Sequence, residues 1–180
     1  MNKGDCLLRQ GRVEDAMKSF GNATGTDGNN SYTWSFISKS LLNQGKYKDA
    51  LEFLEKAAQH IDKKVLWNDK GTALSGLGRC YEAVQCYDNV LKIDPNYETS
   101  LNNKGLCLMS LEKYQEAIHC FNRILFLRPN VKHVLMNKYE ALTKLGKIKD
   151  AEKCYERARK IKDNKQKQDF HGGESFQINA

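Results

Sequence analysis

One short motif recurs along most of the chain. Five alanines follow one another at intervals of 34, 33, 34 and 34 residues, namely Ala16, Ala50, Ala83, Ala117 and Ala151. A unit of this length is too short to bury its own apolar face. Repetition at a fixed period therefore predicts a stack in which each unit is stabilised by its neighbours. Such a stack is typical of a binding surface and not of a catalyst.

The residues after each alanine form an amphipathic pattern. A large residue stands four positions after the alanine, and a smaller apolar residue stands three positions further on. These spacings place all three side chains on one face of a helix with 3.6 residues per turn. The second half of each unit is therefore predicted to be a helix. The large residues are Phe20, Leu54, Tyr87, Phe121 and Tyr155, and the smaller ones are Ala23, Ala57, Val90, Ile124 and Ala158.

The residues before each alanine predict another helix with a point of close packing. A leucine stands nine positions before each alanine, at Leu7, Leu41, Leu74, Leu108 and Leu142. A small residue precedes four of these leucines by three positions, at Gly4, Ser38, Gly71 and Gly105, with Tyr139 as the exception. A glycine then suits a turn between the two helices at Gly11, Gly45, Gly78 and Gly146, and Glu112 replaces it in one unit. Each unit is thus predicted to be an antiparallel helical hairpin.

The combined pattern resembles the tetratricopeptide repeat family. Residues 64–97 carry Trp67, Gly71, Leu74, Gly78, Ala83, Tyr87 and Pro95 at the spacing of that family. Residues 98–131 carry Gly105, Leu108, Tyr114, Ala117, Phe121 and Pro129. The resemblance covers roughly residues 1–163. It implies an all-α fold, an α-solenoid of stacked antiparallel helical hairpins wound into a right-handed superhelix.

The period also divides the chain. A single solenoid is expected over residues 1–163, with a partial unit at 1–30 and units at 31–63, 64–97, 98–131 and 132–163. The first unit is expected to be incomplete because Met1 enters partway through a first helix. A polar run over residues 21–30 is expected to form the most mobile joint. Residues 164–180 lose the period and are expected to form a flexible tail. The alternative is that Phe170 or Phe176 folds back over the last unit.

Composition limits the class of protein. The sequence is 40% hydrophobic and 28% charged with two prolines, which suits a helical chain with a continuous core. No segment approaches the roughly 18 consecutive apolar residues that a membrane span needs, and the N-terminus lacks the apolar centre of a signal peptide. We therefore expect a cytoplasmic protein without a membrane span. Motifs for phosphate binding, nucleophilic catalysis and metal binding are missing, so no enzyme activity, no cofactor and no metal site are predicted.

The six cysteines fit the repeat better than a disulfide framework. Cys86, Cys120 and Cys154 share one repeat position on successive second helices, whose axes should lie about 8–10 Å apart. A disulfide requires Cα atoms within about 7 Å. The cysteines are therefore predicted to be reduced thiols that act as small apolar side chains.

The resemblance also implies where a partner binds. First helices of the family line the concave side of the superhelix, and Asn103 and Asn137 are the most informative residues there. An asparagine amide provides two donors and an acceptor, which suits the backbone of an extended peptide. The alternative is that these asparagines are solvated and recur through duplication alone. The predicted groove residues are Tyr32, Lys39, Asn68, Asn102, Asn103, Met109, His133, Asn137, Glu140 and Lys144.

Positive charge concentrates towards the C-terminal end. The net charge is +7, and residues 144–167 contain ten basic side chains against four acidic ones. Such a segment attracts RNA, acidic lipid or an acidic protein, unless it is only a solvated face. It lacks the interleaved aromatic residues that stack on bases, which argues against a nucleic-acid partner.

The predicted function is that of a non-catalytic protein-interaction scaffold, which binds a peptide or helix of a protein partner in the concave groove. Two alternatives remain. One is a basic, RNA-associated accessory protein, and the other is a structural protein that self-assembles through uncapped terminal repeats. The sequence does not name the partner.

Overall fold

All the secondary structure in the described part of the chain is helical. A computed structural model describes residues 3–24 and 31–161. These contain α1 (Lys3–Arg9), α2 (Val13–Thr24), α3 (Ser31–Asn43), α4 (Tyr47–Lys56), α5 (Lys63–Gly76), α6 (Cys80–Ile93), α7 (Glu98–Ser110), α8 (Tyr114–Leu127), α9 (Lys132–Lys144) and α10 (Ile148–Lys160), with a short 3-10 helix, η1 (Ala57–Gln59), after α4. The predictions for most of the polar joint and for the tail at 164–180 concern residues outside these ranges.

The helices form a stack of antiparallel hairpins. Each odd-numbered helix pairs with the helix that follows it, and each even-numbered helix also contacts the first helix of the next hairpin. The first helices contact one another in turn, α1 with α3, α3 with α5, α5 with α7 and α7 with α9. The solenoid therefore has one layer of first helices and one of second helices, and the predicted all-α solenoid is confirmed. Helix α1 has only 7 residues, against 13 in α3.

The same turn joins the two helices of every hairpin. The backbone N–H of the third residue after the first helix donates to the carbonyl of the repeated leucine, as from Arg79 to Leu74 at 2.9 Å and from Lys113 to Leu108 at 2.8 Å. This bond requires a left-handed residue just before the donor. Glycine fills that position in four hairpins with φ between 70° and 77°, and Glu112 adopts a φ of 59° in the fifth.

An aromatic ring on the second helix packs against the small residue of the first. A Cβ atom added to Gly71 would lie 2.6 Å from a ring carbon of Tyr87, and one added to Gly105 would lie 2.5 Å from Phe121. Tyr87 and Phe121 are both fully buried. The glycines are therefore required because the ring occupies the space of a side chain.

The last hairpin departs from this arrangement. Tyr139 occupies the position of the small residue, and its ring lies 5.6 Å from that of Tyr155. Tyr155 is 47% exposed, whereas the equivalent Phe121 is buried. Two bulky rings cannot share the space of one, so the ring on α10 is displaced towards solvent.

The repeated alanines lie where the helices approach most closely. Ala16, Ala50, Ala83, Ala117 and Ala151 are all buried, with at most 1% of their surface exposed. Cys86, Cys107, Cys120 and Cys154 are also buried among apolar side chains. Burial raises the pKa of the Cys107 thiol to about 11, because the thiolate would lose its hydration. Small side chains at these positions allow the two layers to meet.

Gly105→Ala should destabilise the protein by about 1–3 kcal/mol, because the new methyl group overlaps a ring that has no room to move. Urea unfolding measures this change. Ser110→Ala, at an exposed position of the same helix, is the control and should have little effect. An unfolding midpoint for Gly105→Ala equal to that of the parent would contradict the packing described here.

Glu112→Gly should stabilise the protein by about 0.5–1 kcal/mol. A left-handed conformation costs a side-chain-bearing residue about 1–2 kcal/mol, and the greater freedom of glycine in the unfolded chain offsets part of the gain. The reverse change in the neighbouring turn, Gly78→Glu, should be destabilising. Both are measured by urea unfolding, and a loss of stability in Glu112→Gly would show that this turn is not strained.

Candidate functional site

The predicted groove residues all lie on the layer of first helices. They are distributed over α3, α5, α7 and α9. The side chain of Tyr32 lies outside the described part of the structure. Lys39, His133, Glu140 and Lys144 are exposed, and the others are half-buried, namely Asn68, Asn102, Asn103, Met109 and Asn137.

A chain of polar side chains crosses three hairpins at this surface. Ser100 on α7 donates to the amide oxygen of Asn68 at 2.9 Å. The amide nitrogen of Asn68 donates to one carboxylate oxygen of Asp69 at 3.2 Å, and Ser38 on α3 donates to the other at 2.9 Å. The amide of Asn68 is therefore used within the protein, where it connects neighbouring first helices.

A second chain connects the last two hairpins. Asn137 on α9 donates from its amide nitrogen to the amide oxygen of Asn102 on α7, at 3.3 Å. Asn102 in turn makes a longer contact of 3.5 Å with the amide oxygen of Asn103. The structure thus brings together three of the predicted asparagines and orients their amides by mutual contacts.

Asp69 is the buried charge of this surface. Only 3% of its surface is exposed, and its carboxyl group lies between α3 and α5. Burial raises the pKa of Asp69 above its ordinary value because the carboxylate loses its hydration. The hydrogen bonds from Ser38 and Asn68 and the positive charge of Lys39 act in the opposite direction. The equivalent residues on the next two first helices are Asn103 and Asn137, which carry no charge.

The hydroxyl group of Tyr87 reaches the groove from behind. Its ring packs on Gly71 of α5, and its oxygen is buried. Burial raises the pKa of Tyr87, whereas the side chains of Thr72 and Asn103 act to lower it. Thr72 and Asn103 belong to α5 and α7, so this tyrosine on a second helix lies beneath two neighbouring first helices.

Apolar side chains flank the asparagines on α7 and α9. Leu106 is 40% exposed, although it is a leucine in the middle of a helix. Met109 and Met136 are half-buried and pack against the core below. Leu106 stands four residues after Asn102, so the two share one face of α7. Amide groups and an apolar patch therefore lie next to each other.

The residues predicted to line the groove include neither Asp69 nor Ser100, and the sequence pattern marked Ser38 only as a small packing residue. The signal available for Asp69 was its place in the repeat, because the two following units have asparagine there, at Asn103 and Asn137. No comparable signal marks Ser100, whose role depends on which residue of α5 lies opposite it. Such contacts between hairpins are set by the stacking distance and not by a local motif.

Two further properties bear on function. Within residues 3–24 and 31–161, no group of three or more histidine, cysteine, aspartate and glutamate side chains is arranged to hold a metal ion. No helix of that same part of the chain is long and apolar enough to cross a bilayer.

Stacked helical hairpins with a continuous layer of first helices define an α-solenoid. Two segments match family models of the tetratricopeptide repeat, at residues 65–97 and 99–131. No curated protein sequence matches the chain at a significant level. These matches identify residues 65–97 and 99–131 as tetratricopeptide repeats.

Similar solved structures agree with this assignment. A crystal structure of MamA has a TM-score of 0.70 at 20% identity, over 88% of this chain and 94% of that one. MamA of Desulfovibrio magneticus RS-1 has a TM-score of 0.70 at 16% identity, over 87% of this chain and 89% of that one. YrrB, a tetratricopeptide repeat protein with an unusual peptide-binding site, has a TM-score of 0.68 at 18% identity, over 89% of this chain and 84% of that one. At these identities the likeness shows the fold. Tetratricopeptide repeats generally act as scaffolds for protein interaction, and the two matched segments support this general class of function for the chain.

Asp69→Asn should change how stability depends on pH. The folded state raises the pKa of Asp69, so the carboxylate costs stability above the folded-state pKa, and this cost disappears as the pH falls towards the ordinary value of 3.8. The asparagine variant lacks this charge at every pH. It should be more stable than the parent near neutral pH, and its advantage should shrink as the pH falls to about 4.

The midpoint of thermal unfolding, measured for both proteins from neutral pH to about pH 4, tests this prediction. Asp150→Asn is the control, because the hydrogen bond from Lys153 lowers the pKa of this exposed carboxyl. Any effect of that variant should be small and of opposite sign. A constant difference between Asp69→Asn and the parent from neutral to acid pH would contradict the account of Asp69.

Proposed function

We propose that the chain binds an extended peptide segment of a protein partner along the first helices α5, α7 and α9. The observation that carries this proposal is the pair of oriented amides on Asn102 and Asn137. Their mutual hydrogen bond holds both side chains in one arrangement, which reduces the entropy lost when a ligand binds. A surface of fixed amide groups suits the repeating N–H and C=O groups of a peptide backbone.

The hydrogen bonds within the protein leave capacity for a ligand. In the described part of the chain, no side chain donates to the amide oxygen of Asn137, and its nitrogen has a second hydrogen. Peptide N–H groups are the donors that such an oxygen accepts. Asn68, in contrast, is occupied by Ser100 and Asp69. The binding segment is therefore centred on α7 and α9.

The neighbouring apolar patch indicates what accompanies the backbone. Leu106, Met109 and Met136 offer a flexible apolar surface beside the amides, and methionine adapts to side chains of different shape. The exposed polar side chains around it on α9 are His133, Glu140 and Lys144, of which Glu140 and Lys144 carry opposite charges. We expect a segment with an apolar side chain and no strong net charge. YrrB, which has a peptide-binding site on a similar fold, supports this class of ligand.

Peptides selected from a displayed random library on the parent protein test the proposal. A selected peptide should lose about 1–3 kcal/mol of binding free energy to the double variant Asn103→Ala and Asn137→Ala, because its backbone groups would be desolvated without partners. Fluorescence anisotropy of the labelled peptide measures the affinity. N-methylation of single peptide backbone nitrogens should also weaken binding, since it removes the donor.

The matched control is Asn122→Ala, an exposed asparagine on the second helix α8. It should leave peptide affinity unchanged. Circular dichroism and urea unfolding establish that the double variant is folded under the assay conditions. Equal affinity of the parent and the double variant for every selected peptide would refute the proposed groove.

A further inference from the structure

One edge of the solenoid combines exposed apolar side chains with positive charge. At this edge the second helices end and the connections to the next first helices begin. Phe126 and Leu127 close α8, and Ile93 closes α6. Phe126 is 86% exposed, Ile93 53% and Leu127 42%. We call this the basic edge, and its cations are Lys92, Arg128, Lys132, Arg157, Arg159 and Lys160.

The charge of the basic edge is asymmetric. In the last three hairpins, the basic edge comprises residues 90–100, 124–134 and 157–161. These are the last four residues of each second helix, the connection that follows and the first three residues of the next helix, and after α10 only Ile161 is included. These segments contain six basic and two acidic residues. The same definition at the opposite edge, residues 73–82, 107–116 and 141–150, gives five basic and four acidic residues. The excess positive charge of these hairpins therefore lies mainly where Phe126 projects.

The two acidic residues of the basic edge are already paired. Asp94 accepts from Lys64 at 3.2 Å, and Glu98 pairs with Arg128 at 3.0 Å. Arg157 donates to the backbone carbonyl of Pro129 at 2.9 Å, which holds its charge at the connection between α8 and α9. The edge thus presents cations without opposing free carboxylates of its own.

The apolar residues form a row instead of a pocket. Ile93 and Leu127 hold the same place in successive hairpins, which lie about 8–10 Å apart. At 86% exposure, Phe126 has almost no protein around it, so a protein partner would have to supply a complete pocket. A bilayer receives a projecting aromatic side chain at any point of its interface. Basic side chains beside exposed phenylalanine and leucine give the two signals that stable membrane association needs.

We propose that the basic edge docks on the surface of an anionic phospholipid bilayer. Phe126 and Leu127 insert at the level of the headgroups, and the flanking cations bind the phosphates. Of the predicted groove residues, only His133 also lies within the basic edge, so this docking surface is largely distinct from the groove. A bilayer is favoured over RNA because the basic edge has a single exposed aromatic side chain, whereas stacking on successive bases needs several.

Co-sedimentation of the full chain with vesicles tests the proposal. The protein should partition onto vesicles of phosphatidylcholine with phosphatidylserine, and far less onto phosphatidylcholine alone. Added salt should weaken the partitioning because it screens the cations. The double variant Phe126→Ser and Leu127→Ser should partition at least about tenfold more weakly. Arg159→Glu with Lys160→Glu should also reduce partitioning onto the anionic vesicles.

The matched control is Tyr81→Ser, which removes a 66% exposed aromatic residue from the opposite edge and should leave partitioning unchanged. Circular dichroism checks that each variant keeps its helical content. Absence of binding to anionic vesicles overturns the proposal, as does equal partitioning of the parent and the Phe126→Ser and Leu127→Ser variant. Soluble polyglutamate and RNA are tested as competitors. If either one displaces the protein from vesicles and binds the Phe126→Ser and Leu127→Ser variant as tightly as the parent, the edge binds that partner instead of a bilayer.

Discussion

Three of the five described hairpins depend on an aromatic ring that packs where the first helix has no side chain, and Phe20 on Gly4 is the first of them. Tyr87 on Gly71 and Phe121 on Gly105 bring the two helices to a distance that a β-carbon would prevent. The rings are buried completely, so this contact also contributes much of the apolar area that each hairpin removes from water. Neighbouring hairpins then stack through their first helices and through the contact of each second helix with the next first helix. The last hairpin, with Tyr139 in place of glycine, leaves the ring of Tyr155 half exposed.

The stacking of neighbouring first helices is what makes their polar surface possible. Ser100 reaches Asn68, and Asn137 reaches Asn102, only because α5, α7 and α9 follow one another at the distance of a hydrogen bond between short side chains. These contacts have two effects. They connect the hairpins, and they hold amide groups in the orientation that a peptide backbone would require. Stability between repeats and the proposed recognition of a partner therefore use the same residues, Asn102 and Asn137.

The two surfaces proposed to bind partners differ in chemistry. The groove contains oriented amides, a small apolar patch and charges of both signs, which favours contact with a backbone over attraction by charge. The basic edge contains projecting apolar side chains among cations, which favours a broad anionic surface. The groove is made by the faces of the first helices, and the basic edge by the ends of the second helices with the first residues of the helices that follow, so the two share His133. Their other named residues differ, which would allow a scaffold to hold a partner at α7 and α9 and a bilayer at the edge.

The sequence by itself determined the hairpin and its repetition, because both depend on local spacing. The period of the alanines, the leucine with its turn glycine, and the apolar face of the second helix each act within one unit, and the helices formed as these patterns predict. Even the exceptions were visible, with Glu112 in a left-handed turn and Tyr139 in the place of a small residue. The lining of the groove by first helices followed from the resemblance to the family.

Only the tertiary structure decided which polar groups meet and which side chains stay exposed. The partner of Asn68 is Ser100, 32 residues away, and no local pattern marks that serine. Asn137 was expected to face a ligand, but half of its amide is used by Asn102. Phe126 is an apolar residue of the kind that usually fills a core, yet 86% of its surface is exposed to solvent. Such outcomes depend on the distance and rotation between neighbouring hairpins, which arise from the packing of large buried surfaces and not from the spacing of residues within one repeat.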